Sequence, residues 1–456
     1  RLASPVQRRR IPIADFHRSS AHISAYSRQE TSALSAPAIH EPVESRYQRS
    51  WVLIGLIALV CLPGIVLRLA GIHPDPVPGA IVFGFAILAA AFLLSWAAET
   101  AEMDISQGLA LAIIAIIAVL PEYAVDAVLA WKAGADPAEA EKGLAIANMT
   151  GGNRLLIGVG WPIVFLLFFY RTKLKELVVN RQRSLELVFL AVATLYVIFI
   201  PLRSHVTIID TIILVSLFIM YMYFTSKVET EHVELVGPAK AMGQLRDAPR
   251  RSLVIAMLVF AAVTIFCSAE PFAESLVHIG EDFGVSEFLL IQWLAPLASE
   301  SPEVLVACLL AWRGRAAAGM GVLISSKVNQ WTLLIGTLPI AFLRSSGDFG
   351  FTHGLPLDTR QREEIFLTAA QSAFAIAVFM NLRMGKLEAI GLFVLFATQL
   401  FITNEGVRAI YAVLYTVLCV VRLFISRKEI PHTVRDAIAV MRGRDLDPWP
   451  RDPGPG

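Results

Sequence analysis

Twelve apolar runs follow one another between residues 51 and 425, at approximately 51–71, 79–103, 106–131, 142–170, 184–202, 206–225, 252–278, 285–312, 316–343, 364–382, 387–403 and 406–425. Most approach the roughly 20 residues that carry an α-helix across a hydrocarbon core about 30 Å thick. Lipid offers the backbone no hydrogen-bond partner, so such runs close their amide bonds internally as helices. The spacing predicts an all-α integral membrane protein with about 12 transmembrane helices. Hydrophobic residues are 56% of the 456 and charged residues only 17%, too apolar for an ordinary soluble protein of this length.

Orientation follows from where Lys and Arg fall. With the N-terminus inside, the inner loops hold Arg171, Lys173, Lys175, Arg181 and Arg183, then Lys240, Arg246, Arg250 and Arg251, then Arg313, Arg315, Arg383 and Lys386. The outer loops hold fewer. An even number of spans returns the tail at 429–456 to the same side, so both termini are expected in the cytoplasm of a bacterial-type plasma membrane. Residues 1–50, rich in Arg, Ser and His, are expected as a disordered cytosolic tail. An organellar transit peptide is the alternative, weakened by Glu30, Glu41 and Glu44. Cys61, Cys267, Cys308 and Cys419 show no paired spacing and are expected to be small packing residues.

Against this apolar background four carboxylates stand out. Glu122 and Asp126 lie in one run, Glu300 and Glu303 in another, and Pro121 and Pro302 directly precede a Glu in each. A carboxylate at the centre of a membrane helix costs about 2.5 to 3.5 kcal/mol, so four of them point to function. Each proline withholds an N–H from the carbonyl four residues back, Ile117 or Ala298, which predicts locally broken helices with unpartnered carbonyls. Spacings of four and three residues put each pair on one helix face. Carboxylates beside free carbonyls suit a hard cation, and calcium takes about six to eight oxygens. Asn148, Asn153, Ser299, Ser325 and Asn329 are the expected amide and hydroxyl contributors.

The arrangement occurs twice. Ser95 to Glu102 before the first acid segment matches Cys267 to Glu274 before the second, and Ala147 to Arg154 after the first matches Ile324 to Trp331 after the second. The repeat unit is five spans, 79–225 and 252–403, joined by a polar linker at 226–251, with an additional helix at each end, 51–78 and 404–428. Five is odd, so the second copy enters the membrane from the opposite side, and the repeats are predicted to be inverted. Glu99 and Glu102 then lie near one membrane face and Glu270 and Glu274 near the other, where they gather cations or simply solvate helix ends.

These segments resemble the sodium/calcium exchanger superfamily of calcium:cation antiporters over about 79–403. The resemblance implies a transporter without enzymatic chemistry, exchanging calcium against sodium or protons by alternating access, with no cofactor beyond the transported ions. Its partners are then membrane lipid and inorganic cations, not nucleic acid. Glu122 and Glu303 stand where the family motif Gly-Thr-Ser-Leu-Pro-Glu places its central ion ligand. Residues 147–153, and more faintly 324–330, approximate the family's Gly-Asn-x-x-Gly-Ser-Asn. Ala118 and Val119 replace the Thr and Ser of that motif, the second copy keeps Ser299 but carries Glu300, and Leu156 and Leu333 replace a late Asn or Asp. Lys327 and Arg154 add positive charge, and a lysine among carboxylates can stand in for one transported cation. A sodium/proton exchanger using the same carboxylates is the second reading.

An intramembrane protease has no Gly-x-Gly-Asp here to support it. The Asp-Phe-Gly triplets at 282–284 and 348–350 lack the other kinase motifs and are read as chance.

Overall fold

Helix is the only secondary structure that satisfies a single lipid-exposed strand of chain by itself, and helices make up most of the described backbone. The computed structural model describes residues 43–101, 103–104, 120–227, 235, 237–348, 350, 353–400, 405–444 and 446. Most of the expected tail, Ile117, Ala118, Val119, and residues 228–234 and 236 of the expected linker lie outside them. Eight helical stretches among the described residues are long and apolar enough to cross a membrane: Gln48–Ala70, Pro76–Ala101, Pro137–Thr172, Arg181–Leu202, Ile208–Thr225, Asp247–Phe283, Glu287–Trp312 and Gly406–Ile425. Leu120–Ala135, Ala316–Ser346, Thr359–Phe379 and Lys386–Gln399 are helical too, but shorter or more polar. The first helix starts at Val43, inside the segment expected to be a tail, because no Gly or Pro interrupts 43–50.

Pro76–Ala101 and Asp247–Phe283 lie against each other through small residues. Gly79 faces the Ser275 hydroxyl and Gly84 faces the Phe272 ring. In lipid, helices associate through such close backbone approach, since tails are as apolar as the side chains. Val43–Ala70 packs on both, with Gly64 against Ser268.

Beside the helices, the described residues include four three-residue strands in two antiparallel ribbons. Glu176–Val178 (β1) pairs with Arg383–Gly385 (β4), and His205–Thr207 (β2) with Gly354–Pro356 (β3). These pairings join positions far apart in the chain and had no local alternation to announce them. A shift of 178 positions carries β1 (176) onto β3 (354) and β2 (205) onto β4 (383), so the ribbons map onto each other. The same shift carries the helix-capping Asn180 onto Asp358. It also carries Asp210, which accepts from the Thr207 amide at 2.7 Å, onto Glu388, which accepts from the Gly385 amide at 2.6 Å. Ser184–Val197 runs from β1 to β2 and Thr359–Phe379 from β3 to β4. These two bracing helices therefore lie antiparallel, side by side.

Candidate cation site

Two acid helices and two polar helices build the site. The first acid helix is Leu120–Ala135 and the second Glu287–Trp312. The second does not break as expected. It runs continuously through Pro296 and Pro302, and these prolines withhold amides from the carbonyls of Gln292 and Ala298. The polar helices are Leu144–Leu155 and Ala316–Asn329, and neither is interrupted by a loop. Each continues through a five-residue π-helical turn, Leu156–Gly160 and Gln330–Leu334, into a further α-helix. A π turn widens the helix by one residue and re-aims the side chains before it, a common device at functional positions.

Glycines set the closest approach between the halves. A side chain at Gly151 would collide with the Gln292 carbonyl, the one released by Pro296, and a side chain at Gly152 would collide with the Glu300 carboxylate. Without a Cβ, the first polar helix packs its backbone directly on the second acid helix.

Glu122, Asp126 and Glu300 are buried, Glu303 is partly so, and amides hold the first two. Asn148 Nδ2 donates to Asp126 Oδ1 at 2.9 Å. Gln330 Nε2 donates to Glu122 Oε1 and Oε2, both at 3.2 Å. A pocket between the helices is lined by Glu122, Asn148, Met149, Gly152, Asn153, Pro296, Ser299, Glu300, Gln330 and Leu334. Glu300 therefore shares the pocket wall with Glu122, whereas Glu303 is not among the lining residues and stands next to Ser326. The 178-position shift takes Gly152 to Gln330, and each of these lies against a carboxylate of the opposite half, Glu300 and Glu122 respectively.

Other expected residues divide. Ser299 lines the pocket, its hydroxyl donating to the Ala295 carbonyl at 3.3 Å. Asn329 Oδ1 accepts from Tyr123 Oη at 3.2 Å. Ser325 turns away and donates to Glu186 Oε1 at 3.4 Å. Lys327, fully buried, places Nζ 2.5 Å from Asn153 Oδ1, 3.3 Å from the Asn153 carbonyl and 4.2 Å above the Trp331 ring. Arg154 points out of the pocket, pairing with Glu364 at 2.9 Å and lying 4.9 Å over Trp293. The mouths are held in ion pairs as well: Glu270 with Arg68, and Glu274 with Lys132 at 2.6 Å. Glu99 accepts from Ser95 at 3.5 Å, and Glu102 lies outside the described residues.

Sequence reasoning passed over Gln330, Tyr123, Gln292 and Glu364. Gln330 ends the second polar segment and was legible as an amide there. Glu364 opens the apolar run at 364–382, and nothing in the chain nearby singled it out.

Five buried oxygens around the pocket have no hydrogen-bond donor: Asp126 Oδ2, Asn148 Oδ1, Glu300 Oε2, Glu303 Oε2 and Gln330 Oε1. Buried polar groups are normally satisfied, and carboxylate and amide oxygens left without a donor are groups that a bound cation satisfies. Among the described residues no three His, Cys, Asp or Glu side chains converge closely enough to hold a metal ion by themselves. The donor set for a cation here has to include amide or carbonyl oxygens.

The sequence profile of the sodium/calcium exchanger protein family matches residues 77–227 and again 253–404. A solved structure described as the H+/Ca2+ exchanger CAX is 43% identical with a TM-score of 0.83, over 87% of this chain and 99% of that one. The native YfkE structure is 16% identical with a TM-score of 0.56, over 79% of this chain and 99% of that one, a likeness of fold alone. Comparison with curated proteins returned no match. Two profile matches covering most of the chain, and a 43% identical relative spanned almost end to end, establish that the chain belongs to the sodium/calcium exchanger family.

Proposed function

We propose that the chain is a secondary active antiporter that moves calcium against protons, binding the ion between the two acid helices. The observation that carries this reading is the set of buried oxygens without donors on Asn148, Glu300 and Gln330, which line one pocket with Glu122, joined by those on Asp126 and Glu303 of the same acid helices. Calcium needs such an oxygen-rich cage. The name of the 43% identical relative favours protons over sodium as the counter-ion.

The architecture behind it is about 12 spans in two inverted five-helix repeats, 79–225 and 252–403, with added helices at 51–78 and 404–428. Both termini face the cytoplasm. The antiparallel bracing helices and interchangeable ribbons support this inversion. In the cycle, calcium is shared by Glu122, Glu300 and neighbouring oxygens, with Asp126 and Glu303 adding charge. Rocking of one repeat against the other opens the site to the opposite face, where protons take the carboxylates and release the ion.

Lys327 favours a second reading, a sodium/proton exchanger, because an ammonium near Glu300 reduces the charge available to a divalent ion. Everted vesicles separate the two. Calcium uptake driven by a pH gradient supports the first, while sodium collapsing that gradient without any calcium flux supports the second.

A further inference from the structure

Away from the pocket, two buried carboxylates occupy matching places in the two halves. The 178-position shift that relates the ribbons takes Glu186 to Glu364, each in the first or second turn of a bracing helix. Each reaches the polar helix of the other half. Glu186 Oε1 accepts from Ser325 Oγ at 3.4 Å and from Arg183 Nη1 at 2.6 Å. Arg183 in turn lies over Gly321, where any Cβ would meet its guanidinium. On the other side, Glu364 Oε2 takes Arg154 at 2.9 Å and Gln292 Nε2 at 3.1 Å. Gln361, the counterpart of Arg183, lies over Gly143, the counterpart of Gly321. The carboxylates and the glycine contacts beside them are duplicated, while the partners of each carboxylate differ.

We propose that Glu186 and Glu364 are a matched pair of positioning residues, each pinning the polar helix of the opposite repeat at its own membrane face and so setting the cation affinity of the pocket toward that face. Glu186 follows β1 and Glu364 follows β3, so the two pins lie at the ends marked by different ribbons. What each pin holds bears on the pocket directly: Arg154 follows Asn153, and Ser325 precedes Ser326, the neighbour of Glu303. The pins differ in strength. Side-chain exposures are 3% for both Arg154 and Glu364, and 5% for Arg408, whose Nε lies 3.7 Å from Glu364 Oε1. Arg183 is 34% exposed. Removing one member of a buried pair is costly, whereas an exposed partner is screened. Through Arg408 the added C-terminal helix, Glu405–Ile425, joins the machinery of the Glu364 pin.

This inference rests on the antiporter reading, and the test keeps the two apart. Calcium flux is measured from each face separately, in everted and right-side-out vesicles, for wild type, Glu186→Gln and Glu364→Gln. The expected result is a rise in apparent KM of about fivefold or more at the variant's own face and less than about twofold at the other, larger for Glu364→Gln, with Glu186→Asp partly restoring its face. Equal changes at both faces, or no change in correctly folded protein, overturn the proposal. If either Gln variant fails to fold, Arg183→Gln and Arg408→Gln carry the same face-by-face prediction. Loss of flux in Glu122→Gln alongside symmetric KM values in Glu364→Gln contradicts the pins and leaves the antiporter standing. A wild type with no cation flux contradicts the antiporter reading itself.

Discussion

Gln330 reaches across the pocket to both carboxylate oxygens of Glu122, at 3.2 Å each, from a polar helix in the other half of the chain. Its counterpart is Gly152, which has no side chain and lets the Glu300 carboxylate lie against the helix backbone. The pocket is thus nearly symmetric in its acids and asymmetric in what touches them.

Gly152→Ala tests that asymmetry. The added methyl runs into Glu300 Oε1, so the carboxylate has to swing away from its place in the pocket wall. Cation flux should fall by about tenfold or more, from a loss near 1.4 kcal/mol in ion binding, while the protein still inserts and purifies normally. Vesicle flux with a thermal-stability control checks it.

Lys327→Met addresses the ammonium beside Asn153. Methionine keeps the length of the buried stem and removes the charge. If Lys327 stands in for a transported cation, the charge moved per cycle, read electrically on a solid-supported membrane, should rise by about one. Asn153 Oδ1 loses its 2.5 Å donor, and leaving that acceptor unsatisfied costs about 1 to 3 kcal/mol, so a lower melting temperature is expected as well.

Outside the spans, Asp104 forms a two-pronged bond with Arg250, at 2.9 and 2.7 Å, and a further bond to Arg251 at 2.9 Å. The hydrogen bond from Arg250, followed in smaller measure by Arg251, holds the Asp104 carboxyl down at about 2, against an ordinary 3.8. A depressed carboxyl pKa stabilises the structure fully above the ordinary value and loses that effect as pH falls through the lowered one. Amide protection factors, with the intrinsic exchange rate divided out, should therefore hold at the start of Asp247–Phe283 down to pH about 4 and fall toward pH about 2. Asp104→Asn should show low protection at every pH.

Much of this was legible in the chain because lipid punishes exceptions. Apolar length announced the spans, and the cost of buried charge singled out Glu122, Asp126, Glu300 and Glu303. Which of them faces the pocket was not legible. Glu300, three residues before Glu303 on the same helix, lines the pocket with Glu122. One residue of helix rotation also decides that Ser326, not Ser325, sits beside Glu303. Arg154 looked like a partner for the central acids, but its counter-charge, Glu364, lies 210 positions away and only the fold brings it near. The ribbons were equally hidden, since three residues carry no recognisable alternation.

The central claim is that calcium binds between Glu122 and Glu300. Uptake of radioactive calcium into everted vesicles, driven by a pH gradient, is the most direct measurement. The account predicts robust uptake by wild type and loss of uptake in Glu122→Gln and in Glu300→Gln, with both variants present at normal levels. Uptake by both variants at the wild-type rate would contradict it.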